Sequence, residues 1–217
     1  MMNETFWREK WQRNEIGFHE DQPNPLLTRH LPTLGLPEGA RIFLPLCGKS
    51  LDIHWLLEQG FDVAGIELSE LAVEQLFTEL DVTPRISDVG KLRCYEADGL
   101  CIFVGNIFDL TETELGPVDA VYDRAALVAL PEEMRRAYAS HLMAITNAAP
   151  ALLVCLEYDQ SRRPGPPFSV DDAEVRRYYD KTFHLTCIEK PDLVGGLKGA
   201  CPALEIVWIM EPRADAA

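Results

Sequence analysis

Basic residues are scarce in this 217-residue chain, and long apolar runs are missing. Lysine and arginine number 20 against 35 aspartates and glutamates, which gives a formal net charge of −15 at pH 7. Nucleic-acid binding needs a basic surface that neutralises phosphates, so this balance argues against it. The same charge disfavours anionic membranes, and no apolar run approaches the length of a membrane span. We therefore expect neither nucleic acid nor membrane as a partner.

Patterns for metal sites and disulfides are also lacking. The six cysteines show no C-x-x-C spacing, and the five histidines show no metal-binding spacing with cysteines or carboxylates. Free thiols buried in a reducing compartment fit this pattern better than a disulfide framework. Charged residues crowd the beginning of the chain, where a secretory leader would carry an apolar core. We therefore expect a soluble, cytoplasmic protein that binds no metal. We also expect a monomer, although none of these patterns bears on the oligomeric state.

The most informative segment spans residues 41–69. It predicts a short buried strand, a tight turn at Gly48, a helix that stops at Gly60, and a second strand that ends at Glu67. Because glycine has no Cβ, the backbone at Gly48 can turn sharply and approach a ligand. A carboxylate about 20 residues past such a turn is the typical partner of ribose hydroxyls. The segment therefore predicts a site for a nucleoside-containing small molecule.

Two phosphate-binding motifs contain a glycine turn of this kind, but neither fits. A dinucleotide fingerprint G-x-G-x-x-G centred on Gly48 would need two further glycines, where the chain has Leu46 and Leu51. A P-loop would need glycine in place of Phe43. Without these glycines the backbone N–H groups cannot wrap a phosphate chain. S-adenosylmethionine (SAM) has a ribose and no phosphate, so it fits best; the alternative is an ordinary βαβ unit with a surface glutamate.

Strand-like and helix-like runs alternate along the rest of the chain. An Asp98-Gly99 pair predicts a hairpin, and two closing strands follow a helix near 171–180 that Ser169 is expected to cap. The alternation predicts an α/β fold with a doubly wound, mainly parallel sheet of seven strands. A helical, proline-rich N-terminal extension is expected over residues 1–40, ahead of a main domain over residues 41–217.

Several candidate residues fall at the predicted carboxyl ends of strands. Ligands of doubly wound sheets bind at this edge. The residues concerned are Leu46, Gly48, Glu67, Asn106, Ile107 and Arg124. Their coincidence at one edge is the strongest argument from the residues alone for a ligand site.

Seven segments resemble the thiopurine S-methyltransferase family, a branch of the class I SAM-dependent methyltransferases. They are residues 7–11 (WREKW), 17–19 (GFH), 44–50 (LPLCGKS), 65–69 (GIELS), 106–110 (NIFDL), 122–130 (YDRAALVAL) and 158–168 (YDQSRRPGPPF). The resemblance implies a Rossmann-like fold. It also implies transfer of a methyl group from SAM to sulfur, or to selenium or tellurium, with S-adenosylhomocysteine (SAH) as the product.

The resemblance also implies roles for individual residues. Cofactor contacts are implied at Trp11, Leu46, Glu67, Asn106, Ile107 and Arg124, and substrate contacts at Phe18 and Arg124. Gly48 is expected to contact the cofactor through its backbone, and Phe168 to form a wall of the substrate pocket. We expect the N-terminal helix and the loop over residues 159–170 to cover the site as lids.

The predicted chemistry needs no general base. A thiol with a pKa near neutrality supplies thiolate unaided, so the protein contributes positioning and exclusion of water. Arg124 is expected to orient the acceptor or stabilise its charge. Three alternatives remain: detoxification of selenium or tellurium compounds, a SAM-binding protein without turnover, and a nucleotide hydrolase that uses Gly48, Lys49 and Ser50.

Overall fold

The computed structural model describes residues 4–16, 19–197 and 199–214. Two compact units divide the chain after residue 120. Nine strands and seven α-helices lie within the described ranges. Among those residues, no helix combines the length and the apolar character that crossing a membrane requires.

The first unit contains five strands in the order β3-β4-β5-β2-β1. β2 is parallel to β1 and to β5, whereas β4 is antiparallel to β3 and to β5. The strands are β1 (Arg41–Pro45), β2 (Asp62–Glu67), β3 (Arg85–Val89), β4 (Leu92–Ala97) and β5 (Leu100–Val104). The helices are α1 (Glu4–Gln12), α2 (Pro25–His30), α3 (Leu51–Glu58), α4 (Glu70–Glu79) and α5 (Glu112–Leu115).

Local sequence signals set the helix ends next to the β1 and β2 termini. Ser50 caps α3 by accepting a hydrogen bond from the Asp52 N–H, and Ser69 caps α4 by accepting one from the Ala72 N–H. Gly60 follows α3 with a φ of +82°, a conformation that favours glycine. The predicted strand, turn, helix and strand are thus confirmed over residues 41–67.

The second unit contains four strands in the order β6-β7-β9-β8. β6 and β7 are parallel, and β9 is antiparallel to both β7 and β8. The strands are β6 (Ala120–Arg124), β7 (Ala151–Tyr158), β8 (Phe183–Glu189) and β9 (Ala203–Pro212), and the helices are α6 (Glu132–Ile145) and α7 (Asp172–Tyr179). The predicted closing hairpin is confirmed.

Two details differ from the sequence predictions. The expected seven strands become nine within the described residues. β4 and β5 form the hairpin predicted at Asp98-Gly99, and β3 adds an antiparallel strand on the other side of β4. β3 is exposed along nearly its whole length, so it lacks the apolar alternation by which a strand is recognised. α7 is capped by Asp171, whereas the Ser169 hydroxyl accepts a hydrogen bond from the Tyr158 N–H at 3.0 Å.

The N-terminal helices α1 and α2 lie within the first unit. The buried side chain of Asn24 caps α2. The backbone N–H of Asn24 donates a hydrogen bond to Asp52 of α3 at 2.7 Å. The proposed division into residues 1–40 and 41–217 stays a prediction.

Candidate functional site

The Glu67 carboxylate organises the turn that follows β1. Glu67 is the last residue of β2 and is 6% exposed. Its Oε2 accepts a hydrogen bond from the Gly48 N–H at 2.9 Å, and its Oε1 accepts one from the Ser69 N–H at 2.8 Å. One side chain thus joins the turn after β1 to the start of α4. A carboxylate has about four acceptor positions, and a further backbone hydrogen bond comes from Leu68, so capacity for an additional donor remains.

Burial and backbone hydrogen bonds dominate the electrostatics of this carboxylate. Burial raises the pKa of Glu67 above its ordinary value, and hydrogen bonds from the backbone of Ser69 and Gly48 partly offset that rise. The charge of Arg8 has a smaller lowering effect on the pKa. A buried carboxylate that is held by N–H groups suits additional neutral donors, such as the hydroxyls of a ribose.

The turn itself has an unusual backbone. Leu46 has a φ of +48° and Gly48 a φ of +55°. A residue other than glycine in this region is strained by about 1–2 kcal/mol, so the left-handed conformation of Leu46 is imposed by its surroundings. Strain of this kind concentrates at ligand sites, and both residues belong to the predicted cofactor set.

Trp11 of α1 occupies the space that opens above the glycine. A Cβ placed on Gly48 would lie 3.0 Å from Cζ2 of the Trp11 indole, and Trp11 is 4% exposed. The close approach to the backbone that we predicted for a ligand is therefore made here by an aromatic ring of the same chain. Trp11, Gly48 and Glu67 consequently lie together, and their role in cofactor binding stays a prediction.

A second contact connects α1 with the loop after β5. The Asn106 Nδ2 donates to Oε1 of Glu4 at 2.8 Å, while Oδ1 of Asn106 accepts from the Phe108 N–H at 3.0 Å. Ile107 is buried beside it, and the Gly105 N–H donates to the Glu67 carbonyl at 2.9 Å. Both ends of α1 therefore contact predicted cofactor residues, and Asn106 and Ile107 follow directly from the strand that pairs with β2.

Lys49 and Ser50, which would contact the phosphates in a P-loop, interact with other parts of the protein. The Lys49 Nζ is 2.5 Å from Oε1 of Glu79 at the end of α4, and Ser50 caps α3. Burial, together with the nearby Glu67 charge, raises the pKa of the Cys47 thiol well above its ordinary value. Cys47 is therefore a neutral, apolar neighbour of the turn. The partners of Lys49 and Ser50 give no support to a phosphate-binding loop.

In the second unit, Asp123 shapes the chain around Arg124. Arg124 ends β6 and is half-buried, and the next residue, Ala125, has a φ of +65°. The buried Asp123 accepts hydrogen bonds from the Tyr138 hydroxyl at 2.7 Å and from the Leu127 N–H at 3.1 Å. Burial raises the pKa of Asp123 to about 6, although both hydrogen bonds lower it. Sequence reasoning treated Asp123 only as part of a motif and did not recognise this role.

Phe168 lies at the end of the loop over residues 159–170. Its N–H donates to the Val128 carbonyl at 2.6 Å, which joins this loop to the one that follows Arg124. A Cβ on Gly165 would lie 2.5 Å from Cδ1 of Phe168, so the ring packs directly on that glycine. The Tyr158 hydroxyl donates to the Pro167 carbonyl at 2.7 Å and further secures the loop.

The remaining predicted residues and features can be placed briefly. Phe18 lies outside the described residues. Within the ranges that the structure covers, no group of three or more histidine, cysteine, aspartate or glutamate residues could hold a metal ion. An open cavity of about 430 Å³ lies between Arg162 and the loop over residues 192–203, for which sequence analysis assigned no role.

The chain is similar to known methyltransferases in sequence and in fold. A family model described as thiopurine S-methyltransferase (TPMT) matches residues 2–203. The thiopurine S-methyltransferase of Gluconobacter oxydans is 58% identical over 97% of this chain and 96% of its own length. That of Xanthobacter autotrophicus is 53% identical over 97% of this chain and 99% of its own length.

A solved structure shows the same architecture at low sequence identity. It is the Burkholderia thailandensis 1,6-didemethyltoxoflavin-N1-methyltransferase, solved with 1,6-didemethyltoxoflavin and S-adenosylhomocysteine. The TM-score is 0.65 at 14% identity, and the match covers 96% of this chain and 87% of that one. At this identity the likeness establishes the fold alone, and the expected α/β class is confirmed.

Proposed function

Because the chain belongs to the thiopurine S-methyltransferase family, we propose that it transfers the methyl group of SAM to the sulfur of an aromatic or heterocyclic thiol. Identities of 58% and 53% over nearly the whole chain establish the family membership and support the assignment as a methyltransferase. The cytoplasmic location and the monomeric state stay predictions.

One observation carries the cofactor assignment, namely the buried Glu67 carboxylate beside the Gly48 turn. Its oxygens accept from backbone N–H groups, among them those of Gly48 and Ser69, and retain acceptor capacity for a ribose hydroxyl. The Trp11 indole lies against the same turn, and an aromatic ring at this position suits a neighbouring sulfonium. The residues present therefore fit SAM, and they favour it over a ligand with a phosphate chain.

The side chains of this protein then bind, orient and shield the reactants. SAM would supply an electrophilic methyl group on a sulfonium, with the neutral thioether SAH as the leaving group. Glu67 and Trp11 hold the cofactor, Arg124 pairs with the anionic acceptor, and Phe168 presents an apolar wall to its ring. A thiol of low pKa is ionised at neutral pH, so in-line attack needs orientation and desolvation and no proton-accepting side chain.

A direct assay tests the proposal. The full-length protein is incubated with SAM and an aromatic thiol or a thiopurine, and SAH is quantified by mass spectrometry. The matched control replaces the thiol with the phenol of the same ring, which is largely protonated at pH 7 and should give no product. Selenium and tellurium compounds form a second arm, which tests the wider acceptor class.

The outcomes separate the alternatives. SAH formation with thiols and none with phenols would support the assignment. SAM binding by calorimetry without product from any acceptor would favour a non-catalytic SAM-binding protein. Product from selenium or tellurium compounds alone would move the function to that class.

A further inference from the structure

A buried arginine in α6 connects two loops of the second unit. Arg135 is 4% exposed. Its Nε donates to the Leu130 carbonyl at 2.8 Å, and its Nη1 donates to the Ser169 carbonyl at 3.2 Å. Nη1 also lies 2.7 Å from Oε2 of Glu174 in α7, which balances the buried charge.

The two carbonyl acceptors belong to the loops that carry candidate acceptor-binding residues. Leu130 ends the loop over residues 125–130, which begins directly after Arg124. Ser169 directly follows Phe168 at the end of the loop over residues 159–170. The hydrogen bond from the Phe168 N–H to the Val128 carbonyl joins the same two loops. The guanidinium thus adds two hydrogen bonds across a junction that otherwise depends on backbone contact.

Arg135 also contacts the Phe168 ring. Its Cζ lies 5.6 Å from the ring centroid, within the range of a cation–π contact. The Gly165 backbone packs on the same ring so closely that a Cβ there would overlap it. The Arg135 guanidinium and the Gly165 backbone therefore both constrain the orientation of the Phe168 ring.

We propose that Arg135 is a positioning residue for the methyl acceptor, acting through Phe168 and through the loop that follows Arg124. The inference rests on the proposed function, because it assigns the acceptor to Arg124 and Phe168. Arg135 does not touch the reactants; it keeps Phe168 and the residue 125–130 loop in one arrangement. A planar fork is needed for this, since a lysine ammonium cannot reach both carbonyls and stack on the ring in a single geometry.

The central experiment compares Arg135→Lys with Arg136→Lys, its neighbour on α6. Arg136 is exposed, so the control makes the same chemical change on the same helix without touching either loop. We expect Arg135→Lys to lower kcat/KM for the thiol about tenfold, chiefly through a higher acceptor KM, at saturating SAM. The Kd for SAH should stay within about twofold of wild type, and Arg136→Lys should match wild type throughout.

A role limited to packing α6 against α7 would give another pattern. It would lower the melting temperature and leave the acceptor KM unchanged in the folded enzyme. Equal acceptor KM values in Arg135→Lys and wild type would therefore overturn the proposal. A loss of SAH affinity as large as the loss of kcat/KM would also overturn it, because the effect would then not be specific to the acceptor.

Amide hydrogen exchange gives a readout that does not depend on turnover. The Phe168 amide, which donates to Val128, should exchange faster in Arg135→Lys than in Arg136→Lys, as should segment 125–130. Unchanged exchange in both loops would overturn the inference even if the enzyme were active. The two failures are distinguishable. If exchange is faster in Arg135→Lys but the wild-type protein methylates no acceptor, the role of Arg135 in holding the loops is supported and the proposed function is wrong.

A double-mutant cycle covers the case in which Arg135→Lys is poorly stable. Arg135→Lys, Phe168→Leu and the double variant are compared at a temperature where all three are folded. If Arg135 acts through the ring, the effects on kcat/KM should be strongly non-additive. Additive effects would show that the two residues act independently and would contradict the proposed route.

Discussion

Each unit of this protein uses a buried charged side chain to hold loops at strand ends, but the two charges have opposite sign. In the first unit, Glu67 accepts from backbone N–H groups. In the second unit, Arg135 donates to backbone carbonyls. The decisive difference is the counter-ion. Arg135 pairs with Glu174, whereas backbone N–H groups provide the hydrogen bonds to Glu67.

That difference separates a binding role from a positioning role. The guanidinium of Arg135 is neutralised and its donors are directed to the protein, so it can organise a loop but offers little to a ligand. Glu67 keeps part of its acceptor capacity, because a carboxylate has about four acceptor positions. Burying a carboxylate costs stability, and hydrogen bonds from a ligand would recover part of that cost.

The largest effect is expected at Glu67. Replacing it with alanine removes an acceptor for a ribose hydroxyl and the hydrogen bond that holds the Gly48 turn. Each hydrogen bond to a charged group is worth about 1.5–3 kcal/mol. SAH affinity should therefore fall about 1,000-fold, measured by calorimetry on the folded variant. Glu79→Ala removes a partly exposed carboxylate of the same unit and should leave SAH affinity within about twofold of wild type. Equal affinities for wild type and Glu67→Ala would refute the ribose role and the contrast with Arg135.

The sequence predicted the first unit's turn far better than the second unit's loops. Gly48 and Glu67 are close in the chain, and their spacing alone indicates a strand end, a turn and a carboxylate at the next strand end. Arg135 stands in an ordinary amphipathic pattern, E-E-M-R-R-A-Y, where an arginine indicates a solvent-exposed face. Its burial depends on Glu174 and Ser169, which are distant in the sequence, so no local pattern could predict it.

The same limit explains the other differences. β3 pairs with β4 although its side chains are largely exposed, so its formation depends on hydrogen bonding to a neighbour and not on an apolar pattern. The contact between Trp11 and Gly48 was only partly predictable. The family resemblance implied a role for both residues, but nothing in the sequence indicated that the indole would cover the glycine.

Asp123 extends the comparison, since it is a buried carboxylate of the second unit that accepts hydrogen bonds from the Tyr138 hydroxyl and the Leu127 N–H. Its pKa is raised from 3.8 to about 6, so the folded state binds the proton more tightly than the unfolded state. The contribution of Asp123 to the free energy of unfolding should therefore be largest below about pH 4 and should fall as the pH rises to about 6. The loss should be about 3 kcal/mol, at about 1.4 kcal/mol per pKa unit.

Urea unfolding between pH 4 and pH 7 tests this contribution. The difference in unfolding free energy between wild type and Asp123→Asn isolates one carboxyl from the other acidic groups. We expect Asp123→Asn to gain stability relative to wild type as pH rises through this window. If the difference in unfolding free energy between wild type and Asp123→Asn did not depend on pH, Asp123 would have its ordinary pKa. That result would contradict the burial of its carboxyl.

Gly48 tests the packing of α1 on the turn. Gly48→Ala introduces a Cβ at a φ of +55° and against the Trp11 ring, so we expect a loss of about 2 kcal/mol in unfolding free energy. Gly35 is a matched control, with a φ of +60° and no atom within 4 Å of an added Cβ. Gly35→Ala should cost about 1 kcal/mol, from backbone strain alone. Equal losses in the two variants would mean that the indole yields without cost.

The smallest effect is expected at Lys49, whose partner Glu79 is partly exposed to solvent. Ion pairs of this kind contribute about 0–1 kcal/mol, so Lys49→Gln should change stability by less than that amount. SAH affinity should stay close to that of wild type, because the cofactor proposed here has no phosphate for a lysine to bind. ATP should give no heat in a parallel titration of either protein. ATP binding that Lys49→Gln abolishes would restore the nucleotide hydrolase and would mean that the turn beside Glu67 serves a phosphate after all.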